Sequence, residues 1–508
     1  MPNKIIKLSL ILILLFNFSF SEKAGIRVSI SNEALTAAEM KFFPELMKKI
    51  SHITIPNKSF KKGKIKVNLS GITFNLNDVP PNNISINFSE PNLVNLNAKS
   101  ITGNGNFHVQ FKLFFIKETD NVTINLKRLN LSISTSVSMK ESPTDKGKYV
   151  PNVIINSINL DLDFDFNIHG KIIAAIVRLI KSKIKDLIKK ELLKAVKGKL
   201  MSLGQEAINK GISKYPTYIS IKTPSQDEGF AVDDTLLTPL EVKTNFLTLS
   251  TYGKIIDKNI PESKTPPFEI PDNLPLFNPK GKQIQIFVSD YSLNSAAYTF
   301  FLAKKIDFKL DSKDVPKDSP IQLNTTSIDN LIPGIEKKYG SNIPMSLECK
   351  AVDKTPVCAL TNQKVEVTLT AECNLNVLLQ SKNENKYLLF IEKNKYNSTL
   401  SSSKEVALDI KTTINGEAKI KLKENGQIIG EIEILNLINS KILSSAISDI
   451  KIENVEKLFN FLMKIAIPII NINILNNLHV NIPAVDGVTF QNSSVEVREN
   501  YIEINVTP

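Results

Sequence analysis

The residues able to carry reaction chemistry are few and scattered. The four histidines, His52, His108, His169 and His479, stand far apart in a chain of 508 residues. Neither a Gly-x-Ser-x-Gly nucleophile turn nor a His-Glu-x-x-His zinc pair occurs. Asp161, Asp163 and Asp165 alternate as in a calcium loop. Such a loop needs Gly at its sixth place and an acid at its twelfth, where Phe166 and Ile172 stand, so the three read as solvent-facing strand carboxylates. The run GNGNF at Gly103 lacks the Lys and the following helix of a phosphate loop, and reads as a strand-edge turn. His169, just before Gly170, reads as a turn residue. No catalytic residue, metal site or cofactor is expected, and the chain reads as a non-enzyme.

The three cysteines cluster at Cys349, Cys358 and Cys373, with no histidine nearby to make a metal site of them. Asp353-Lys354 lies midway between the first two, and a two-residue hairpin turn there sets Cys349 opposite Cys358. That spacing predicts a Cys349–Cys358 disulfide. Either cysteine can instead pair with Cys373, leaving one thiol over.

Charge is the other chemical signal. Between Lys171 and Lys199 stand ten Lys/Arg against Asp186 and Glu191, most of the net +12 of the chain. In the same stretch Ile173, Ile176, Ile180, Ile184, Leu187, Ile188, Leu192 and Val196 recur at steps of three and four, the mark of an amphipathic helix. At 1.5 Å per residue it spans roughly 44 Å. Its apolar stripe faces a core. Its lysine face is either ordinary solvent-facing surface or an adhesive for anionic membranes, where each exposed cation is worth about 1 kcal/mol. No aromatic platform accompanies the cations, so nucleic acid is not an expected partner.

The elements that must position these residues follow from compartment and periodicity. Lys4 and Lys7, the apolar run Leu8 to Phe16 and Ser19-Phe20-Ser21 make a signal peptide over 1–21, with a mature start near Glu22. The expectation is a secreted or luminal protein, and Asn57, Asn68, Asn83, Asn87, Asn121, Asn130, Asn324, Asn397, Asn492 and Asn505 stand in glycosylation sequons. Lys464, Pro468, Asn460 and Asn471 interrupt the late apolar segment Leu458–Ile474, which therefore reads as an amphipathic helix rather than a span. Alternation in KIKVNLSGITFNLN and INLDLDFDFNIHG predicts antiparallel strands buried on one face.

The organisation is doubled. GIRVSI leads into SNEALTAA at Ser31, and 258 positions later IQIFV leads into SDYSLNSA at Ser289. In each copy Asn32 or Asp290, or the serine before it, can cap a helix, and Ala37, Ala38, Ser295 and Ala296 allow close packing on a sheet. Each copy then reads as antiparallel sheet, long helix and strand. Pro261 to Pro279 has the composition of a semi-rigid linker. The expected divisions are 22–230, 231–282 (a central strand and linker) and 283–508.

These features, with LMKKISHITIPN, LIPGIEKKY and the order in which they occur, resemble the family of bactericidal/permeability-increasing protein, lipopolysaccharide-binding protein and the plasma lipid transfer proteins. The resemblance covers nearly the whole mature chain and rests on order and spacing, not on any catalytic signature. It implies an α+β fold: two pseudo-symmetric barrels of twisted antiparallel sheet with two helices each, joined by a central sheet into a boomerang, with an apolar lipid tunnel in each barrel. Tunnel-lining positions expected on the helical stripes are Leu35, Phe42, Leu46, Ile173, Ile176 and Ile180 in the first half. Those in the second are Leu293, Ala297, Phe301, Leu458, Leu462 and Ile465. The family's endotoxin-binding members carry cations on loops at the first tip; the matching loops hold Lys58, Lys61, Lys62 and Lys64, then Phe114, Phe115 and Lys117 beside Glu118 and Asp120. The first loop keeps the pattern and the second is partly neutralised. The family's usual first-barrel disulfide has no counterpart, since no cysteine precedes Cys349. The implied function is binding of phospholipid or lipopolysaccharide by a secreted monomer at membrane surfaces in host defence. The alternative is carriage of lipid between membranes.

Overall fold

The structure, a computed structural model, describes residues 23–36, 47–167, 171–212, 215–221, 229–271, 274–278, 282–361, 363–379, 403–423, 426–472, 480–481 and 493–506; within α1, side chains are described from residue 180 onward, except at 207, 211 and 212. The expected signal peptide lies outside these residues.

The first half opens with β1 (Ile26–Ser31), followed by helical residues 32–36 and 47–50. Its sheet contains β2 (His52–Ile55), β3 (Lys58–Lys62), β4 (Ile65–Leu76), β5 (Ile84–Ser89), β6 (Leu93–Leu113), β7 (Ile116–Glu141) and β8 (Tyr149–Asn167), then α1 (Lys171–Ile212). The order is β2-β4-β6-β7-β8, with β3 on β4 and β5 on β6, antiparallel throughout. Burial in β4 follows Val67, Leu69, then Ile72, Phe74 and Leu76, a change of parity that would turn half the strand inside out. A bulge between Ser70 and Thr73 absorbs it, with Gly71 at φ +60°. Ile180, Ile184, Ile188, Leu192, Val196 and Leu200 of α1 are buried in one cluster with Phe74, Phe107, Phe111 and Phe164. The helix runs on past Lys199 to Ile212, 42 residues or roughly 63 Å. Asp161, Asp163 and Asp165 face outward and are paired with Arg128, Lys185 and Lys127.

Short strands β9 (Tyr218–Ser220), β10 (Phe230–Asp233), β11 (Glu241–Val242), β12 (Phe246–Thr251) and β13 (Ile255–Asp257) lead to β14 (Ile284–Ser289) and α2 (Asp290–Leu302). The second sheet comprises β15 (Phe308–Asp311), β16 (Met345–Ala351), β17 (Val357–Thr361), β18 (Lys364–Leu379), β19 (Ser403–Leu422) and β20 (Gln427–Ser445). The short helices α3 (Thr325–Asp329) and α4 (Ile335–Tyr339) interrupt it. Then come α5 (Ile452–Ile470), β21 (Val480–Asn481), β22 (Ser494–Arg498) and β23 (Tyr501–Val506). Its order is β15-β16-β18-β19-β20-β21 with β17 on β18. Both large sheets are open antiparallel ladders among the described residues, and α1 and α5 lie along their final long strands.

The central sheet, β11-β12-β1-β14-β23-β22, is where the doubled sequence meets itself. β1 and β14 are antiparallel neighbours, Val28 opposite Ile286. The Ser31 N–H donates to the Gln283 carbonyl at 2.8 Å and the Ser289 N–H to the Gly25 carbonyl at 2.9 Å. A shift of 258 positions carries either bond onto the other, as a twofold axis between the strands requires. Ser31 Oγ caps its helix by accepting from the Ala34 N–H. Ser289 Oγ instead donates to the Gly25 carbonyl. The proline-rich stretch is a packed strap: Leu274 and Phe277 are buried, and the buried Arg27 guanidinium donates to the Leu274 and Pro275 carbonyls.

The disulfide expectation is corrected. Cys349 pairs with Cys373, and Cys358 is a free thiol. No two-residue hairpin joins β16 to β17: residues 352–356 separate them, and the two strands follow one another along the same edge of β18. Register sets Cys349 directly opposite Cys373, while Cys358 faces Val367. Burial pushes the Cys358 thiol up to about 12.

Candidate functional site

Two features stand out from the scaffold, one at the end of the first sheet and one inside the second half. At the sheet end, the β3–β4 and β6–β7 hairpins lie side by side. Their register places Lys61 opposite Lys66, Lys66 opposite Lys112, and Lys112 opposite Lys117. Directly opposed side chains share a face of the sheet, so these four exposed lysines form one row across four strands. Like charges in that arrangement destabilise a sheet, and packing gives no reason for them.

Beyond the row the β6–β7 turn carries an apolar finger. Phe115 is fully exposed at 102%, Phe114 is 62% exposed and Ile116 50%. Lys64 Nζ lies 5.0 Å over the Phe114 ring. Lys183 reaches in from α1, with Nζ donating to the Lys61 carbonyl and lying 5.2 Å over Phe60. Of the lysines expected here, Lys58 is tied to Glu191 at 3.0 Å. Lys61, Lys62, Lys64 and Lys117 are gathered at the tip. Lys66 and Lys112 were missed, although their phase opposite to buried Val67 and Phe111 was the available signal. The acids are less neutralising than their nearness in sequence implies. Glu118 and Asp120 stand opposite Phe111 and Val109, on the inward face, away from the lysine row.

The second feature is an apolar cavity of about 190 Å³ between the end of α2, the strands β15, β16 and β18–β20, and α5. Phe300, Phe308, Leu369, Ala371, Leu435, Met463 and Ile470 are among its walls. The helical residues expected to line a tunnel mostly pack beside it. Leu458 and Leu462 are fully buried in the adjoining core, with Ile465 packed against it. Met463 and Ile470, seven residues apart on a neighbouring line of α5, form the wall instead. From α2 it is Phe300, not Phe301 or Ala297, that reaches the cavity, and Leu293 packs with Ala34 and the central strands. In the first half Ile180 lies in the sheet core, but Leu35 packs with Ile86, Phe88 and Leu236 in a separate cluster. Phe42 and Leu46, and the side chains of Ile173 and Ile176, lie outside the described residues. Among the described residues, no helix is long and apolar enough to cross a membrane.

Comparison with known proteins follows the same lines. A profile of the LBP / BPI / CETP family, C-terminal domain, matches residues 224–507. A bactericidal permeability-increasing protein of Sebastes schlegelii is 20% identical over 506 residues, 97% of each chain. A human lipopolysaccharide-binding protein is 21% identical over 375 residues, 73% of this chain and 71% of that protein. The crystal structure of a lipopolysaccharide binding protein superposes with a TM-score of 0.55 at 15% identity, covering 96% of this chain and 99% of that one, a likeness of fold.

Proposed function

Because this chain belongs to the LBP / BPI / CETP family, we propose that it is a secreted, non-enzymatic lipid-binding protein. It docks by the first tip on an anionic lipid surface, lipopolysaccharide or anionic phospholipid, and holds an acyl chain in the second-half cavity. The observation that carries this reading is the four-lysine row with the exposed Phe114-Phe115-Ile116 finger at its end. A cationic collar is drawn to phosphate-bearing headgroups, and an apolar finger gains by leaving water, about 1.5–3 kcal/mol for one fully buried phenylalanine. The cavity supports carriage as well as docking. Each methylene buried is worth about 0.8 kcal/mol, so a bound chain leaves only where another apolar phase receives it.

Vesicle flotation tests the docking. Association is expected with vesicles containing lipopolysaccharide or anionic phospholipid and not with purely zwitterionic ones; equal association with both refutes it. Native mass spectrometry of the purified protein tests the cavity, with co-purifying lipid expected. A lipid-bearing protein indifferent to anionic vesicles would favour carriage between membranes over host defence.

A further inference from the structure

We infer that the second-half cavity exchanges its ligand sideways, through the seam between α5 and the edge of β20, and that this ligand is an amphiphile with one acyl chain inside and an anionic head held at the lip by Lys464. The inference rests on the lipid reading of that cavity. β21 pairs only Gln427 and Ile428, so the outer edge of β20 beyond them faces α5. A helix cannot continue a strand ladder, because its own N–H and C=O groups are bonded internally. α5 meets the edge with side chains instead. Glu456 Oε1 accepts from the Ser440 N–H at 3.3 Å, and Asn460 Oδ1 from the Leu437 N–H at 2.7 Å. Asn471 takes both groups of Ile432: Oδ1 accepts its N–H at 2.8 Å and Nδ2 donates to its carbonyl at 2.9 Å.

Residues 456, 460, 464, 467 and 471 follow one another at steps of four, four, three and four, a single stripe down the helix. Between the clips at Asn460 and Asn471 that stripe offers Ile467 and Lys464, and the strand offers Leu435 and Ile434. Here the contact is apolar, and the cavity lies directly behind it: Ile432 and Leu435 from the strand and Met463 and Ile470 from the helix are its walls. The outer lip is apolar too, with Ile434 and Ile438 each 39% exposed and Ile472 62%. Lys464, on the helical stripe between the two clips, is exposed. At about 190 Å³ the space is little larger than the roughly 150 Å³ that holds one benzene, which suits the inner end of one chain rather than a two-chain phospholipid.

The probes are a fluorescent sixteen-carbon fatty acid and its methyl ester, loaded into the full chain. Ile434→Cys with Pro468→Cys, joined by a short bis-maleimide in a Cys358→Ser background that removes the free thiol, staples the lip. Loading and release are expected to slow roughly tenfold or more in the stapled protein while the unstapled variant exchanges normally. Asn471→Ala loosens the seam without a staple and should speed release several-fold. Lys464→Glu should weaken the fatty acid roughly tenfold or more and leave the ester unchanged. Stapled protein that loads at the unstapled rate overturns the portal. Equal effects of Lys464→Glu on both probes, or none on either, overturn the anionic head. If neither probe binds the wild-type chain, the lipid reading of the cavity itself fails, whatever the seam does.

Discussion

Replacing Lys61, Lys66, Lys112 and Lys117 together by threonine separates a binding role for the row from a structural one. Each exposed cation near an anionic surface contributes about 1 kcal/mol, so the row supplies about 4 kcal/mol and its loss should cost on the order of 10³ in vesicle affinity. The fold should not suffer. Three like-charge contacts between neighbouring strands disappear, each unfavourable by some tenths of a kcal/mol, and threonine suits a strand, so the melting temperature should hold or rise. Lys58→Thr is the internal control. Its ammonium is already tied to Glu191 at 3.0 Å, so it should cost less vesicle affinity than any single row lysine. The assay is flotation with anionic vesicles across a salt series, alongside thermal melts. Screening beyond about 8 Å at physiological ionic strength should weaken the wild type steeply and leave the fourfold variant nearly flat. An affinity loss under about tenfold, or one that comes with a lower melting temperature, would refute the reasoning.

Four further expectations follow from the same geometry. Phe115→Ser should lower anionic-vesicle affinity about 10- to 100-fold and abolish the part that survives high salt, without moving the melt; unchanged affinity at high salt removes the finger from the interface. Ala371→Leu, which points a larger group into the cavity, should reduce bound lipid at little cost in stability, whereas Leu462→Phe in the filled core should overpack it by about 1–3 kcal/mol; the reverse pattern would misplace the cavity. Burial pushes the Asp234 carboxyl up to about 7, above its unfolded value, so the folded state holds the extra proton and stability from this group falls as pH rises from about 4 through 7. Asp234→Asn should remove that slope from a series of melts, and parallel profiles would contradict it. Glycan mapping should find Asn505 and Asn324 bare, since Asn505 is buried against Gln285 and Asn324 caps α3; glycan on either would contradict the packing.

What the sequence made legible is what depends on short-range periodicity. Alternation located β4 and β8, and the three- and four-residue steps located α1, because burying one face leaves a repeat in the residues themselves. The doubled strand-to-helix start was readable for the same reason, and it proved to mark the β1–β14 pair. What depended on which strands become neighbours was hidden. Cys349 meets Cys373 because β16 and β17 share an edge of β18, and no local spacing encodes that. Lys66 and Lys112 lie 46 positions apart and become a pair only through register. The helical lining was hidden differently: the apolar stripe of α5 was visible, but a filled core and a cavity both need apolar residues, and only packing shows that Met463 meets space where Leu462 meets neighbours.

The asparagines that break the apolar run of α5 look like flaws when the helix is read alone. They are the means by which a helix closes a sheet. An edge strand offers unpaired N–H and C=O groups that must be met or exposed. Among polar side chains the amide is the one with a fixed donor and a fixed acceptor, so a single Asn or Gln can stand in for a neighbouring strand. The described residues use it three times. Gln205 of α1 takes the Ile155 N–H and the Val153 carbonyl, Asn294 of α2 takes both groups of Cys358, and Asn471 takes both groups of Ile432. The two long helices differ in how tightly they sit. At the first, Gly204 approaches so closely that a Cβ there would come within 2.9 Å of the Ile155 Cδ1 atom, which holds α1 hard against β8. At the second, the clips are eleven residues apart, with isoleucine and lysine between them and a cavity behind. The same device thus makes a firm seal beside Gly204 and leaves an apolar interval between Asn460 and Asn471. The two sheets are similar in strand order, and the spacing of a few amides leaves their edges closed to different degrees.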